Sequence, residues 1–408
     1  LSALAGAAHA QRPVRRVTDS GAGAVRILRA GGPERSDDHA ARREKAFSAP
    51  ILDALSKDGV TILPYDSIYE YVKTFEKDMT VLLCKKKANC RLVNSIPKEV
   101  TILDEANLTF LPKSIKNPVE VENERIAHIK DGVALTKFIC WLKKNVGKIP
   151  MTELSAGEKL YSFRAQQENF IDNSFDPIIS YGIHAAINHY SATAETDIAI
   201  EPGNFLLADT GGHYYEGTTD TTRTIVMGSV NDEQKKYFTA VLRGMLNLGN
   251  AKFRYGCTGV NLDYLARGPL WEMGQDFNHG TGHGVGYLLN VHEGPNSFRW
   301  RIIQGDNAVL EEGMITSDEP GYYVENQYGI RHENLLVCKK AEKTSFGQFM
   351  CFEHLTMVPF DLDAVVPELM TMQERALLNN YHAQVYKKIS PYLEEEEKEW
   401  LKEATREI

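Results

Sequence analysis

Two carboxylates, Asp209 and Asp220, lie eleven positions apart in the stretch LLADTGGHYYEGTTDTTRT. Asp209 ends an apolar run at 205–208 that predicts a buried strand. A fully extended chain would hold the two acids roughly 36 Å apart, at about 3.3 Å per residue. A reversal near Tyr215-Glu216-Gly217 instead predicts a hairpin that brings them together across adjacent strands. Carboxylates crowded in an apolar setting raise each other's pKa, and a bound polycation would relieve the repulsion. The stretch alone is equally compatible with two solvated turn aspartates.

A second pair of carboxylates repeats this pattern. Glu319 ends the strand predicted at 314–318, and Glu333 follows fourteen positions later. The midpoint, Asn326, lies among polar and turn-forming residues, so a second hairpin can present these two acids side by side. Two separate hairpins that each deliver two acids indicate a shared site.

A glycine-rich segment, HGTGHGVG followed by NVHEGP, lies between the two pairs and carries His279, His283 and His292. Its alternate glycines allow a ligand to approach the backbone closely. Neither a dinucleotide fingerprint, which fails at Val285, nor a zincin HExxH motif, which fails at Asn296, is present here. Four carboxylates and one imidazole favour hard divalent ions such as Mn²⁺ or Mg²⁺ over a thiolate-type Zn²⁺ site. Four acids exceed the needs of one ion, so two ions bridged by a water, suited to amide hydrolysis, are the favoured interpretation.

The elements that must position these residues alternate between helices and hairpins. Helices are predicted after Asn117, Thr152, Asn231 and Asn261, and the first begins with the capping-box pattern Asn117-Pro118-Val119-Glu120. Strands are predicted at 177–180, 205–208, 223–227, 314–318, 329–337 and 349–359. This order predicts an α+β fold with antiparallel pairs, and not a doubly wound parallel sheet.

The remaining segments suggest how the chain divides. Residues 1–47, rich in Ala, Gly and Arg, are interpreted as an atypical head, disordered or foreign; its start faintly resembles a secretory signal, an interpretation we discount. Apolar runs at 59–63, 80–84, 100–103 and 108–111 predict strands of a partial α/β domain over 48–116. The main domain is assigned to 117–360 and a C-terminal helical extension to 361–408, with a charged, solvated helix at its end.

Composition narrows the class of protein. The chain has 408 residues, 43% of them hydrophobic, and a net charge of −9, which argues against nucleic acid or an anionic membrane as the main partner. No apolar run approaches the length of a membrane span. The six cysteines are scattered without a CxxC pair and indicate reduced thiols, and hence a cytoplasmic location.

The acids and one of the histidines match a known family. Their order and spacing resemble the metal ligands of the pita-bread (creatinase/aminopeptidase-like) metallopeptidases: Asp209, Asp220, His283, Glu319 and Glu333. The flanks DTGGHYYEGTTDTTRT, HGTGHGVGYLLNVHEGP, SDEPGYY and GIRHENL resemble the aminopeptidase P (Xaa-Pro aminopeptidase) group in particular. Methionine aminopeptidases share the ligands but not these flanks. The resemblance is strong over 117–360, while 48–116 resembles the end of the family's middle domain.

The resemblance implies a role for each residue. Asp209 would chelate one of two divalent ions, Asp220 and Glu333 would bridge both, and His283 with Glu319 would complete the other. Mn²⁺ is the expected metal, with Zn, Co or Mg as alternatives. Glu319 would also be the base that takes the proton from a metal-bridging hydroxide. His189, His279 and His292 match the family's auxiliary catalytic histidines, and Arg331 matches an arginine that orients a ligand carboxylate. His184, His213 and His332 are interpreted as non-catalytic.

The implied activity is removal of the N-terminal residue from peptides with proline in second position. A prolidase, restricted to Xaa-Pro dipeptides, is the nearest alternative, and a non-catalytic pita-bread binding module is another. Members of the family form homodimers, and their long forms begin with a whole α/β domain and most of a second. Here the first domain and most of the second are interpreted as absent or replaced by the Arg/Ala-rich head, which leaves peptide-length selectivity and oligomeric state open.

Overall fold

The computed structural model describes residues 48–288, 290–303, 305 and 307–408. The atypical head predicted at 1–47 lies outside these ranges. The chain divides into two compact units, a first that ends at Leu108 and a second, Thr109–Ile408. The domain bounds predicted from the sequence, 48–116, 117–360 and 361–408, stay a prediction. No helix in the described ranges has the length and apolarity needed to cross a bilayer.

The first unit has α/β character. Its elements are α1 (Ala49–Lys57), α2 (Ile68–Val72), β1 (Thr80–Leu83), α3 (Cys90–Ser95) and β2 (Thr101–Asp104). The two strands are parallel, with Thr80 opposite Thr101. They confirm the strands predicted at 80–84 and 100–103. The strand predicted at 59–63 is wrong: an apolar run becomes a strand only beside a partner, and here Ile62 is left exposed.

The described part of the second unit has seven helices, and three of them begin directly after a predicted cap. The seven are α4 (Phe110–Ser114), α5 (Pro118–Asn145), α6 (Glu153–Arg164), α7 (Asp232–Gly249), α8 (Tyr264–Trp271), α9 (Met372–Ile389) and α10 (Glu395–Ala404). The capping box at Asn117 is present, and Thr152 and Asn231 cap the next two long helices. The strand predicted at 108–111 is wrong, since that run enters α4; so short an apolar run does not distinguish a strand from a helix.

Short 3₁₀ turns connect these elements. They are Tyr65–Ser67 in the first unit and Gly182–Ala186, Gly259–Asn261, Leu362–Ala364, Pro367–Leu369 and Ser390–Tyr392 in the second.

The strands of the second unit pair antiparallel throughout its described part, which confirms the predicted fold class. The first group is β3 (Phe170–Asn173), β4 (Ile178–Tyr181), β5 (Asn204–Thr210), β6 (Gly212–Tyr214), β7 (Gly217–Thr218) and β8 (Thr221–Met227). The second is β9 (Lys252–Arg254), β10 (Gly282–His283), β11 (Ser297–Phe298), β12 (Ile315–Asp318), β13 (Gly321–Val324), β14 (Tyr328–Arg331), β15 (Asn334–Thr344) and β16 (Gly347–His354). β5 lies between β4 and β8, and a separate sheet has the order β12-β15-β16-β9.

Helices cover these sheets and bury their apolar side chains. Phe205 of β5 packs in one cluster with Phe238 and Val241 of α7 and Leu378 of α9. The charged helix predicted at the end of the chain is only partly solvated, because its Leu401 is fully buried in the same cluster. The strands that carry the acids are therefore held in the interior of the unit, with their ends free to form a site.

Candidate metal centre

The first pair of acids lies where β5 and β8 end. The two strands pair with Asp209 opposite Thr222, and Asp220 immediately precedes β8. The ribbon continues into β6 and β7, with Tyr214 opposite Gly217, which confirms the predicted reversal at Tyr215-Glu216. A Cβ at Gly217 would lie 2.5 Å from the carboxyl carbon of the buried Glu124, so only glycine lets helix α5 approach this hairpin so closely.

The second pair is delivered by the predicted second hairpin. Strands β12 and β15 pair with Asp318 opposite Asn334, so Glu319 and Glu333 leave the same end of that ladder. The chain between them forms the β13–β14 hairpin, whose turn places Asn326 at a φ of 59°. Asparagine tolerates this left-handed conformation better than most residues. We call these two acid-bearing structures, 204–227 and 315–344, the acid ribbons.

The two acid ribbons are hydrogen-bonded to each other. The Glu333 N–H donates to the Thr222 carbonyl at 3.1 Å, and the Thr222 hydroxyl donates to Glu333 Oε2 at 2.8 Å. The Thr224 hydroxyl donates to the Arg331 carbonyl at 2.9 Å. These bonds make the four acids converge on one cavity of about 690 Å³, which all of them line.

A single imidazole enters this group from residues 279–288 and 290–293, which we call the histidine loop. The His283 N–H donates to the Ser317 hydroxyl at 2.9 Å, and a Cβ on Gly282 would lie 1.8 Å from the Ser317 carbonyl oxygen. His283 Nδ1 donates to the Gly284 carbonyl at 3.0 Å. Nε2 is then left 3.5 Å from Asp220 Oδ2 and 3.4 Å from Glu319 Oε1.

The residues present fit a divalent cation. Ligand atoms of Asp220, His283 and Glu333 lie within 4.8 Å of one another. Asp209 is held differently: its Oδ2 accepts from Arg331 Nη2 at 2.5 Å, while its buried Oδ1 has no hydrogen-bond partner in the described structure. An oxygen-rich set with one imidazole is the donor chemistry of a hard divalent ion.

The pKa values of the acids also favour a bound cation. Burial and the neighbouring carboxylates raise the pKa of Glu333, and burial raises the pKa of Glu319 to about 7. Burial also raises the pKa of Asp220, against its hydrogen bond to His283. Burial opposes the charge of His283, but its contacts with Asp220 and Glu319 outweigh it and raise the pKa to about 9. A cation bound among these groups would favour the ionised carboxylates.

The auxiliary residues predicted from the sequence line the same cavity: His189, His279, His292 and Arg331. The His292 ring lies 4.0 Å from that of His283, and burial with the His283 charge lowers its pKa to about 4. His279 Nδ1 donates to the Gly280 carbonyl at 2.7 Å, so its Nε2 accepts from the Tyr323 hydroxyl at 2.9 Å. Burial, with the Arg331 charge, lowers the His279 pKa to about 3, so the ring stays neutral.

Three further residues organise the site and were missed by the sequence analysis. Tyr323 links two predicted residues, because its oxygen accepts from Arg331 Nη1 at 2.8 Å while it donates to His279. Thr222 bonds Glu333, and the Ser317 hydroxyl donates to Glu319 Oε1 at 3.0 Å. Ser317 precedes Glu319 by two positions, and Thr222 follows Asp220 by two. The period-2 alternation of a strand places such residues on the same face, a signal that could have identified them.

The histidines interpreted as non-catalytic are absent from the cavity lining. His184 Nδ1 bonds both carboxylate oxygens of Glu153 at 3.0 Å. His213 bonds the Thr218 hydroxyl, and His332 is buried against the ring of Phe238.

Fold and site together define a pita-bread protein that gathers four carboxylates and one imidazole in a single cavity. The chain belongs to metallopeptidase family M24: the family model matches residues 122–340, and its C-terminal region matches 348–408. A creatinase/prolidase N-terminal domain matches residues 41–120. The family and the fold predicted from the sequence are thereby confirmed.

Several known proteins are similar over most of the chain. A probable Xaa-Pro aminopeptidase P of Paracoccidioides brasiliensis is 38% identical over 90% of this chain and 62% of its own length. The X-prolyl aminopeptidase of Caenorhabditis elegans, described as a cytosolic enzyme with a di-nuclear active site, has a TM-score of 0.83 and 34% identity over 88% of this chain. Prolidase from Pyrococcus furiosus has a TM-score of 0.59 and 25% identity over 76% of this chain and 86% of its own. The chain spans only 60% of the C. elegans protein.

Proposed function

We propose that this protein is a metal-dependent aminopeptidase that hydrolyses the N-terminal Xaa-Pro bond of peptides. One observation carries the proposal: four acids from two separate ribbons and one imidazole converge on a single buried cavity. The similarity to Xaa-Pro aminopeptidases supplies the substrate class. Proline makes the bond before it a tertiary amide without an N–H, which explains why a dedicated site is needed.

The five side chains would hold two divalent ions. Asp220 and Glu333 would bridge them, Asp209 would chelate one, and His283 with Glu319 would complete the other. Mn²⁺ is the proposed metal because oxygen donors predominate, and Zn²⁺, Co²⁺ or Mg²⁺ would also suit the set. Bound ions would supply a water activated near neutral pH and polarise the scissile carbonyl.

The protein's own side chains would transfer protons and bind the substrate. Glu319, positioned by the Ser317 hydroxyl, is the proposed base that takes the proton from the attacking water. His292, His279 and His189 would bind the substrate backbone and pass the proton to the departing proline nitrogen. Arg331 holds Asp209 in a fixed orientation.

The test compares a dipeptide with a tripeptide. Protein loaded with Mn²⁺ is expected to cleave Xaa-Pro-Xaa at the bond before proline, as followed by mass spectrometry of the products. Prolidase is the second candidate, because this chain matches 86% of the length of the prolidase from Pyrococcus furiosus. Cleavage of Xaa-Pro alone would establish that candidate and refute the first. Full metal occupancy without hydrolysis of either peptide would favour a non-catalytic binding module.

We further propose a cytoplasmic location and a homodimer. The scattered cysteines and the cytosolic C. elegans relative support the location. Light scattering coupled to size exclusion would measure the oligomeric state directly, and a monomer at micromolar concentration would contradict the dimer.

A further inference from the structure

A buried lysine lies beside the start of helix α5. Lys116 is only 4% exposed, although lysine is rarely buried without a specific partner. Its ammonium group donates to the Val285 carbonyl and, at 3.3 Å, to the Ser114 carbonyl. Val285 belongs to the histidine loop and lies two residues after His283. The lysine therefore contacts the backbone of the loop that brings the imidazole to the acids.

The backbone of Lys116 is hydrogen-bonded to the segment that precedes the second acid ribbon. The Lys116 N–H donates to the Gly313 carbonyl at 3.0 Å, and Ile115 forms an isolated bridge with Met314. Met314 directly precedes β12, and Glu319 directly follows that strand. Lys116 thus spans two structures that meet at the site: its backbone is bonded next to the strand of Glu319, and its side chain is bonded beside His283.

A second lysine holds the far end of the histidine loop. Lys113 Nζ lies 2.7 Å from Glu293 Oε2, and the Glu293 side chain, next to His292, is only 7% exposed. The Glu293 N–H donates to the Gly284 carbonyl at 2.7 Å, which closes the loop on itself. Burial lowers the pKa of Lys116, while the Glu124 and Glu293 charges act in the opposite direction. Segment 113–116 therefore contacts the loop at two points, near its middle at Val285 and at its end at Glu293.

We propose that Lys116 is a positioning residue, whose bond to the Val285 carbonyl holds the histidine loop so that His283 and His292 face the acids. The catalytic part of this inference rests on the proposed function, whereas its structural part does not. A charged donor forms a stronger hydrogen bond to a buried carbonyl than a neutral donor does. Lys116 Nζ is such a donor to the Val285 carbonyl. Supports of this kind typically change metal affinity or activity by about 10- to 100-fold.

The experiment compares Lys116→Met with a matched control, Lys143→Met. Lys143 lies on α5, has a side chain 17% exposed, and contacts two carboxylates, Asp361 and Asp363, away from the histidine loop. Amide hydrogen exchange of the metal-free protein is measured over 282–288 and 290–293. We expect exchange there to rise about tenfold or more in Lys116→Met and to stay at the wild-type level in Lys143→Met.

Two further readouts separate positioning from general stability. Mn²⁺ affinity, measured by calorimetry, should fall about 10- to 100-fold in Lys116→Met alone. With a cleavable Xaa-Pro peptide at saturating Mn²⁺, kcat/KM should fall in Lys116→Met and stay at the wild-type level in Lys143→Met, because His283 and His292 no longer face the acids. The exchange and affinity measurements need no turnover, so an inactive wild-type protein would refute the proposed function and leave this test intact.

Loop exchange and metal affinity in Lys116→Met equal to those of Lys143→Met would overturn the positioning role. Should Lys116→Met fail to fold, Lys116→Gln serves in its place, because glutamine keeps a polar end but is too short to put its nitrogen where the ammonium lies. Loop exchange in Lys116→Gln no faster than in the control would equally overturn the proposal.

Discussion

The acid ribbons and the histidine loop reach one cavity by different physical means. Each ribbon is built on antiparallel strand pairs; β5 and β8 alone pair over seven residues, from Asn204–Met227 to Thr210–Thr221. The histidine loop has shorter backbone contacts: two pairs with β11, His283 with Ser297 and Gly282 with Phe298, and an isolated bridge from Gly284 to Thr316 of β12. Side chains from elsewhere add to its support: the Ser317 hydroxyl, the Tyr323 hydroxyl and the Lys116 ammonium group.

This difference suggests that the ribbons and the loop contribute to the site in different ways. Ladders resist local change because many consecutive residues are paired with a neighbouring strand, so they suit the acids that must converge against their own repulsion. A loop held by a few side chains can be moved by single substitutions far away in the sequence. Loss of a ribbon acid should therefore abolish a metal site, whereas changes to loop residues that are not ligands should lower the rate or weaken metal affinity.

The largest effect is expected for Asp220→Ala. Removing a proposed bridging ligand should abolish one metal site and reduce turnover by about a thousandfold or more, since bound ions supply several kcal/mol of transition-state stabilisation. Metal stoichiometry by mass spectrometry and initial rates on an Xaa-Pro peptide test this together. Retained turnover with both ions would disprove the bridging role and weaken the contrast between ribbon and loop.

A smaller effect is expected for His292→Ala in the histidine loop. Turnover should fall by about a hundredfold, a typical contribution of a general acid or base, while metal content stays nearly intact. The same two measurements apply, with Asp220→Ala as the comparison. Loss of both ions would mean that His292 belongs with the ligands, and the proposed separation between ribbons and loop would be wrong.

Gly217→Ala tests how tightly a ribbon is packed. The new methyl group would meet the Glu124 carboxylate at 2.5 to 2.6 Å, and overpacking of this kind costs about 1 to 3 kcal/mol of unfolding free energy. Urea unfolding would measure the loss. Gly268→Ala in α8 is the control, because its nearest neighbour lies at 3.5 Å and alanine favours a helix. Equal stability of the two variants would show that the hairpin adjusts freely.

The smallest effect concerns β16, the strand that pairs with β15 of the second ribbon. Hydrogen bonds from Arg125 lower the pKa of Glu353 on β16 to about 2, so the folded-state pKa lies below the ordinary value. The resulting stability, at most about 1 kcal/mol for a partly exposed pair, is present above about pH 4.5 and is lost as the pH falls towards 2. Arg125→Met should flatten the pH dependence of unfolding in this range, measured on metal-free protein. An unchanged slope would contradict the pairing.

Local signals in the sequence account for much of the fold. The Asn117 capping box, the turn at Tyr215-Glu216 and the left-handed Asn326 are each specified by residues a few positions apart, and all three are present. The errors fall where a distant partner decides the outcome. The run at 59–63 lacks a neighbouring strand, and the run at 108–111 enters a helix. Likewise, the strand predicted at 329–337 is interrupted at His332-Glu333, where the acid turns into the cavity.

The sequence by itself determined the family, the order of the acids and the two turns that pair them, because alternation and turn chemistry act over short stretches. Only the tertiary structure decided which atoms of the site meet. It directs His283 Nε2 at Asp220 and Glu319, gives His279 Nε2 to Tyr323, and brings Lys116 to a carbonyl 169 positions away. Such contacts join segments far apart in the chain, and they arise only when the buried strands and helix α5 have packed together.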